Sequence, residues 1–118
     1  MFSKDMKLGY LLTFYRDLLD ERTERIMSSY YEDDLSLAEI AEGVGISRQG
    51  VRHIIKRAEE NLLLFEEKLG LADSFERQTR FTNEIKAFAD SIRENENYAP
   101  IADKLDAILN DLINVYKN

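Results

Sequence analysis

Ser36-Leu37-Ala38-Glu39-Ile40-Ala41-Glu42-Gly43-Val44-Gly45-Ile46-Ser47-Arg48-Gln49-Gly50-Val51-Arg52-His53-Ile54-Ile55-Lys56-Arg57 is the stretch on which the fold turns. Ser36 and Glu39 stand three apart, the spacing of a capping box, in which the serine hydroxyl and the glutamate satisfy each other's free backbone N–H groups. A short helix starts there and stops near Gly43-Val44-Gly45. Ser47 then caps a second helix. Between the two, Gly45 supplies the positive φ of a three-residue turn. Ala41 is small where two helices cross, and Ile40, Val51 and Ile54 are the apolar residues expected in the wedge between them. Together Ile40, Ala41, Gly45, Ile46, Val51 and Ile54 read as the core of a helix-turn-helix.

Working outward, Leu8, Leu11, Leu12, Tyr15, Leu18 and Leu19 form one helical stripe, which predicts a first helix from about Asp5 to Leu19. Asp20 can cap a second helix that runs to the acidic turn Glu32-Asp33-Asp34, with Leu35 packing inward. Downstream, Val51, Ile54, Ile55, Ala58, Leu62, Phe65 and Leu69 extend the second helix of the motif to Gly70. Ser74 is a further cap candidate, followed by Phe81, Ile85, Phe88, Ala89 and Ile92 on one face. Asn95 to Ala99 reads as a loop, and Pro100 suits the first position of a last helix carrying Ile101, Leu105, Ile108, Leu109, Leu112, Ile113 and Tyr116. No strand alternation interrupts this pattern. The fold class expected is all-α with about six helices: a helix-turn-helix region over residues 1–71 and a C-terminal helical extension over residues 72–118.

Composition narrows the function. The chain has 118 residues, 16 basic and 23 acidic side chains, one histidine and no cysteine, for a net charge of −7. Disulfides, thiolate nucleophiles and cysteine zinc sites are excluded, and the expected compartment is the cytoplasm. No run approaches the roughly 18 apolar residues of a membrane span, and Met1 to Lys7 leads into an amphipathic rather than a leader pattern, so a soluble, unprocessed chain is expected. Carboxylates spread over helix faces offer no nucleophile with its base and no Glu-x-x-His metal pair, so neither an enzyme nor a metal or cofactor site is expected.

Charge is unevenly placed. Residues 47–57 hold Arg48, Arg52, Lys56 and Arg57 and no acid, so the remainder of the chain carries −11. Ser47, Arg48, Gln49, Arg52, His53, Lys56 and Arg57 are therefore the candidate nucleic-acid-binding residues. Arginine and glutamine at the start of such a helix are the types that pair with guanine and adenine edges, while Lys56 and Arg57 suit phosphates. The same fold also serves as a protein-docking module, and that reading stays open beside DNA binding.

The runs Tyr30 to Glu42, Gly45 to Val51 and Ile55 to Glu59, together with Phe65 to Leu69, closely resemble the YlxM family. These are small bacterial helix-turn-helix proteins similar to the promoter-reading region four of sigma factors, and their gene commonly neighbours that of the signal recognition particle GTPase. The resemblance is specific from about Leu8 to Leu71 and continues beyond as helical pattern. It implies a regulatory or accessory role in co-translational protein targeting, with DNA, or the particle's RNA or GTPase, as partner. By position, Ser47, Arg48, Gln49, Arg52 and Lys56 correspond to the exposed start of the sigma-like recognition helix. Gly50 departs from the alanine expected there. The chain holds no glycine-rich phosphate loop, so any GTPase is the partner.

Two apolar stripes beyond Gly70 exceed what a small tri-helical unit needs for its own core. Phe81 to Ile92 and Ile101 to Tyr116 are accordingly expected to pack with the Val51 to Leu69 helix and also to build a homodimer that pairs two reading helices, with Phe81, Ile85, Phe88, Ile108, Leu112 and Tyr116 as its candidate contacts and a monomeric helical cap as the alternative.

Overall fold

A computed structural model describes residues 4–115. Its helices are α1 (Met6–Tyr15), α2 (Glu21–Tyr31), α3 (Leu37–Val44), α4 (Arg48–Leu69), α5 (Leu71–Arg93) and α6 (Ala99–Val115), and no strand occurs among the described residues. The all-α class follows directly. The chain divides into two compact units between Asp73 and Ser74.

In the first unit, α1, α2 and α3 pack on α4. Leu11, Leu12, Tyr15, Ile26, Met27, Val51, Ile55 and Leu62 are its largest fully buried side chains. Each such aliphatic side chain removed from water contributes about 1.5–3 kcal/mol, so this cluster is the main source of the unit's stability. Ile40 and Ala41 are buried where α3 meets it.

The predicted first helix is too long. It ends at Tyr15, a single 3₁₀ turn covers Arg16–Leu18, and Leu18 is 55% exposed rather than on the buried stripe. The break lets the chain reverse, with Leu19 extended and the Asp20 carboxylate accepting the Thr23 N–H at 2.8 Å. It also brings the Arg16 guanidinium within 3.1 Å of Glu24 and 2.8 Å of Glu32, tying the turn to both ends of α2. Leu35, beyond the acidic turn, packs against the core as expected. Asp34 takes a left-handed conformation at φ 57° and pairs with the Lys4 ammonium.

A second correction concerns α5. It begins at Leu71, directly after Gly70 in the left-handed region at φ 62°, and Ser74 lies inside the helix instead of capping it. Capping comes from distant side chains. The Tyr15 hydroxyl donates to Glu66 Oε1 at 2.5 Å and accepts the Leu71 N–H at 3.0 Å. Glu66 accepts the Ala72 and Asp73 N–H groups, each at 3.1 Å. With three free N–H groups already satisfied, no cap at Ser74 is needed. Burial alone would raise the Glu66 pKa, but the Tyr15 hydroxyl and these two N–H donors outweigh it and hold the carboxyl below its usual range. Tyr15 moves up for the complementary reason, burial first and the Glu66 carboxylate second.

The second unit is a helical hairpin. Its buried residues, among those described, are Thr82, Ala89, Ala102 and Leu109. Arg93, at the loop end of α5, reaches Asp103 at 3.4 Å and Asp106 at 2.5 Å, while Phe75 and Ile113 line one depression at the other end, so the helices run antiparallel. Pro100 occupies the second position of α6, because Ala99 already donates to the Asn95 carbonyl at 3.1 Å. Phe81, Ile85, Phe88, Ile108 and Leu112 are all exposed, and Tyr116 lies outside the described residues.

Candidate nucleic-acid interface

The motif forms as its local signals dictate. Ser36 Oγ accepts the Glu39 N–H at 3.1 Å while Glu39 accepts the Ser36 N–H at 3.0 Å. Those bonds hold the Glu39 carboxyl below its ordinary pKa, through the backbone N–H first and the serine hydroxyl second. Gly45 closes α3 in the left-handed region at φ 81°, and its N–H donates to the Ala41 carbonyl at 2.8 Å. Gly45, Ile46 and Ser47 make the turn, and α4 begins at Arg48.

Of the residues expected to form the core of the motif, Ile40, Ala41 and Val51 are buried, whereas Ile46 and Ile54 are half-buried and pack against the core from its edge. Ile55 is the fully buried residue of that helical turn. The reason is angular: Val51 and Ile55 stand four apart on the inner line of α4, and Ile54 falls to one side of it.

Ser47, Arg48, Gln49, Arg52, His53, Lys56 and Arg57 are all exposed on the first three turns of α4. Ser47 is occupied in part, since its Oγ accepts the Gly50 N–H at 3.0 Å. Gly50 is half-buried beneath it, and a Cβ there would stand 3.3 Å from that Oγ, so glycine leaves the cap room. Among the described residues Arg48, Lys56 and Arg57 make no ion pair. Arg48 and Lys56 thus face solvent, while Arg57 shares a depression with Asp20.

Gln49, Arg52, His53 and Lys56 surround one shallow depression of about 240 Å³. A second, more polar depression of about 260 Å³ lies between the start of α2 and α4, lined by Asp20, Thr23, His53, Arg57 and Asn61 among others. His53 belongs to both and joins them. Asn61 and Thr23 were not among the residues expected from sequence. Asn61 is four residues beyond Arg57 and eight beyond His53 on the same helical line, a spacing that could have found it. Thr23 comes from another element and carries no local signal. Asp20 is held to the α2 N-terminus, its pKa lowered first by the Thr23 backbone N–H and then by the Thr23 hydroxyl.

A capped helix N-terminus, a row of exposed cations and a preceding helix crossing behind it define a helix-turn-helix protein. Residues 2–101 match the family described as "Putative helix-turn-helix protein, YlxM / p13 like", and the chain belongs to that family. It is similar to a UPF0122 protein of Halalkalibacterium halodurans, 39% identical over 92% of this chain and 99% of the relative. It is also similar to the UPF0122 protein YlxM of Bacillus subtilis, 38% identical over 89% and 96% respectively. A UPF0122 protein of Bacillus cereus is 44% identical over 73% of this chain and 78% of its own length.

Among the described residues no helix is long and apolar enough to cross a membrane, and no group of three His, Cys, Asp or Glu residues could hold a metal ion.

Proposed function

We propose that the protein is a cytoplasmic regulatory module that acts by binding, without catalysis of its own, and that the first three turns of α4 bind DNA. The observation that carries this reading is the exposure of Arg48, Lys56 and Arg57, beside Arg52 and Gln49, with no acid in residues 47–57 of a chain whose net charge is −7. Arg48 and Gln49 at the capped end address base edges. Lys56 and Arg57 lie two turns on and address phosphates. Because only three or four cations take part, one protomer binds weakly, with a salt slope of about −3 to −4. Two reading helices are needed, and the exposed apolar residues of the hairpin support a homodimer that supplies them.

A second reading keeps the same basic face but sets it against the signal recognition particle, through its RNA or its GTPase. The resemblance of the runs around Tyr30 to Glu42 and Gly45 to Val51 favours it. Arg48→Ala with Arg52→Ala is expected to abolish a salt-sensitive gel shift on genomic fragments. Pull-down from cytosol with and without nuclease separates the readings: enrichment of DNA fragments supports the first, and recovery of particle protein after nuclease supports docking on the GTPase. Enrichment of neither overturns both.

A further inference from the structure

Phe81 and Phe88 each precede by one residue the buried Thr82 and Ala89, and Ile101 and Ile108 likewise precede the buried Ala102 and Leu109. One residue is 100° of helix rotation. On antiparallel helices the same backward step turns both stripes to one side of the hairpin, so α5 and α6 share a single outward apolar face. Phe81, Phe88, Ile101 and Ile108 are 59%, 60%, 53% and 54% exposed on it. Beneath lies a core whose only large buried side chain, among the described residues, is Leu109. A unit that small is in the size range where association normally supplies the missing burial.

The charges beside the α6 stripe say what covers it. Ile101, Leu105, Ile108, Leu112 and Val115 recur at spacings of four and three, the seam of a helix pair. Lys104 and Asp111, both exposed, flank that seam on one side, seven residues apart and opposite in sign. An interface related by a two-fold axis must be complementary to itself. In an antiparallel pairing of α6 with its copy, Ile101 faces Leu112 of the partner subunit and Leu105 faces Ile108 of the partner subunit. The same register sets Lys104 beside Asp111 of the partner subunit and, by symmetry, Asp111 beside Lys104 of the partner subunit. Apolar layers and charges agree on one register.

We infer that α6 pairs antiparallel with α6 of a second copy of this chain, in the register fixed by Lys104 and Asp111, with Phe81 and Phe88 at the margin of the seam. The inference rests on the dimer reading above and names its interface.

Sedimentation of the full chain with charge-swapped variants tests it. The unaltered protein is expected to sediment as a dimer. Lys104→Asp alone, or Asp111→Lys alone, places like charges together twice per dimer and is expected to weaken self-association about tenfold. The double variant Lys104→Asp with Asp111→Lys is expected to restore it. Helix content by circular dichroism is expected to stay unchanged in all three. A dimer indifferent to the single swaps, or not rescued by the double, overturns this register while leaving the dimer standing. A monomer at all concentrations overturns both. Arg48→Ala with Arg52→Ala is expected to lose nucleic acid and keep the dimer.

Discussion

In the first unit the apolar stripes of four helices meet one another, and Leu11, Leu12, Tyr15, Ile26 and Leu62 leave almost no surface to water. In the second, two helices with equally regular stripes meet through two alanines together with Thr82 and Leu109, while phenylalanines and isoleucines remain outside. Periodicity alone does not tell these outcomes apart. What separates them is the number of neighbours: α4 has three helices packed on it, whereas a hairpin gives each helix one inner line and leaves the adjoining line uncovered.

Core truncation probes that contrast most strongly. Leu12→Ala is expected to destabilise the first unit by about 2–5 kcal/mol, because a fully enclosed site cannot collapse around the void. Ile101→Ala, measured by chemical denaturation at concentrations too low for association, is expected to change stability by about 0.5 kcal/mol or less. Equal costs at the two positions would show that Ile101 is covered within its own chain.

The junction after Gly70 gives an intermediate effect. Tyr15→Phe removes the hydroxyl that serves Glu66 and Leu71, and is expected to cost about 1.5–3 kcal/mol, the range for a hydrogen bond to a charged group. The loss should depend on pH. The Glu66 carboxyl is held below its unfolded value, so its contribution is present above the unfolded pKa of about 4.3 and disappears as the pH falls through the lower folded value. Acid unfolding of Tyr15→Phe is therefore expected to begin at higher pH than in the parent, with the two stability curves converging at the acid end. Parallel curves down to the lowest pH would remove Glu66 from the account.

Ser47→Ala gives the smallest change. Loss of the α4 cap is expected to cost about 1 kcal/mol in thermal or chemical unfolding, with faster hydrogen exchange confined to the first turn of α4. Faster exchange in α6 as well would mean that the two units do not unfold independently.

These sites also mark how far the fold is legible in sequence. The helix-turn-helix reads cleanly from Ser36 to Arg57 because its signals are local: a capping box three residues wide, a glycine that tolerates φ 81°, and a second cap at Ser47. The end of α4 at Gly70 reads equally well. Errors fall where distant residues decide. The stop at Tyr15 depends on the turn that sends Arg16 to Glu24 and Glu32, and the start at Leu71 depends on a hydroxyl more than fifty positions upstream. In the candidate interface, every cation is visible as sequence, and Asn61 follows from helical spacing. Thr23 does not, because only the packing of α2 on α4 brings it there.

The bonds around Tyr15 also bear on the order of assembly. The turn from α4 into α5 cannot be completed by its own neighbours, since the group that receives the Leu71 N–H and steadies Glu66 belongs to α1, which is made long before that turn. A fragment beginning after residue 20 would keep α4 and its caps, yet leave a charged carboxylate without its phenol donor at the far end of the same 22-residue rod.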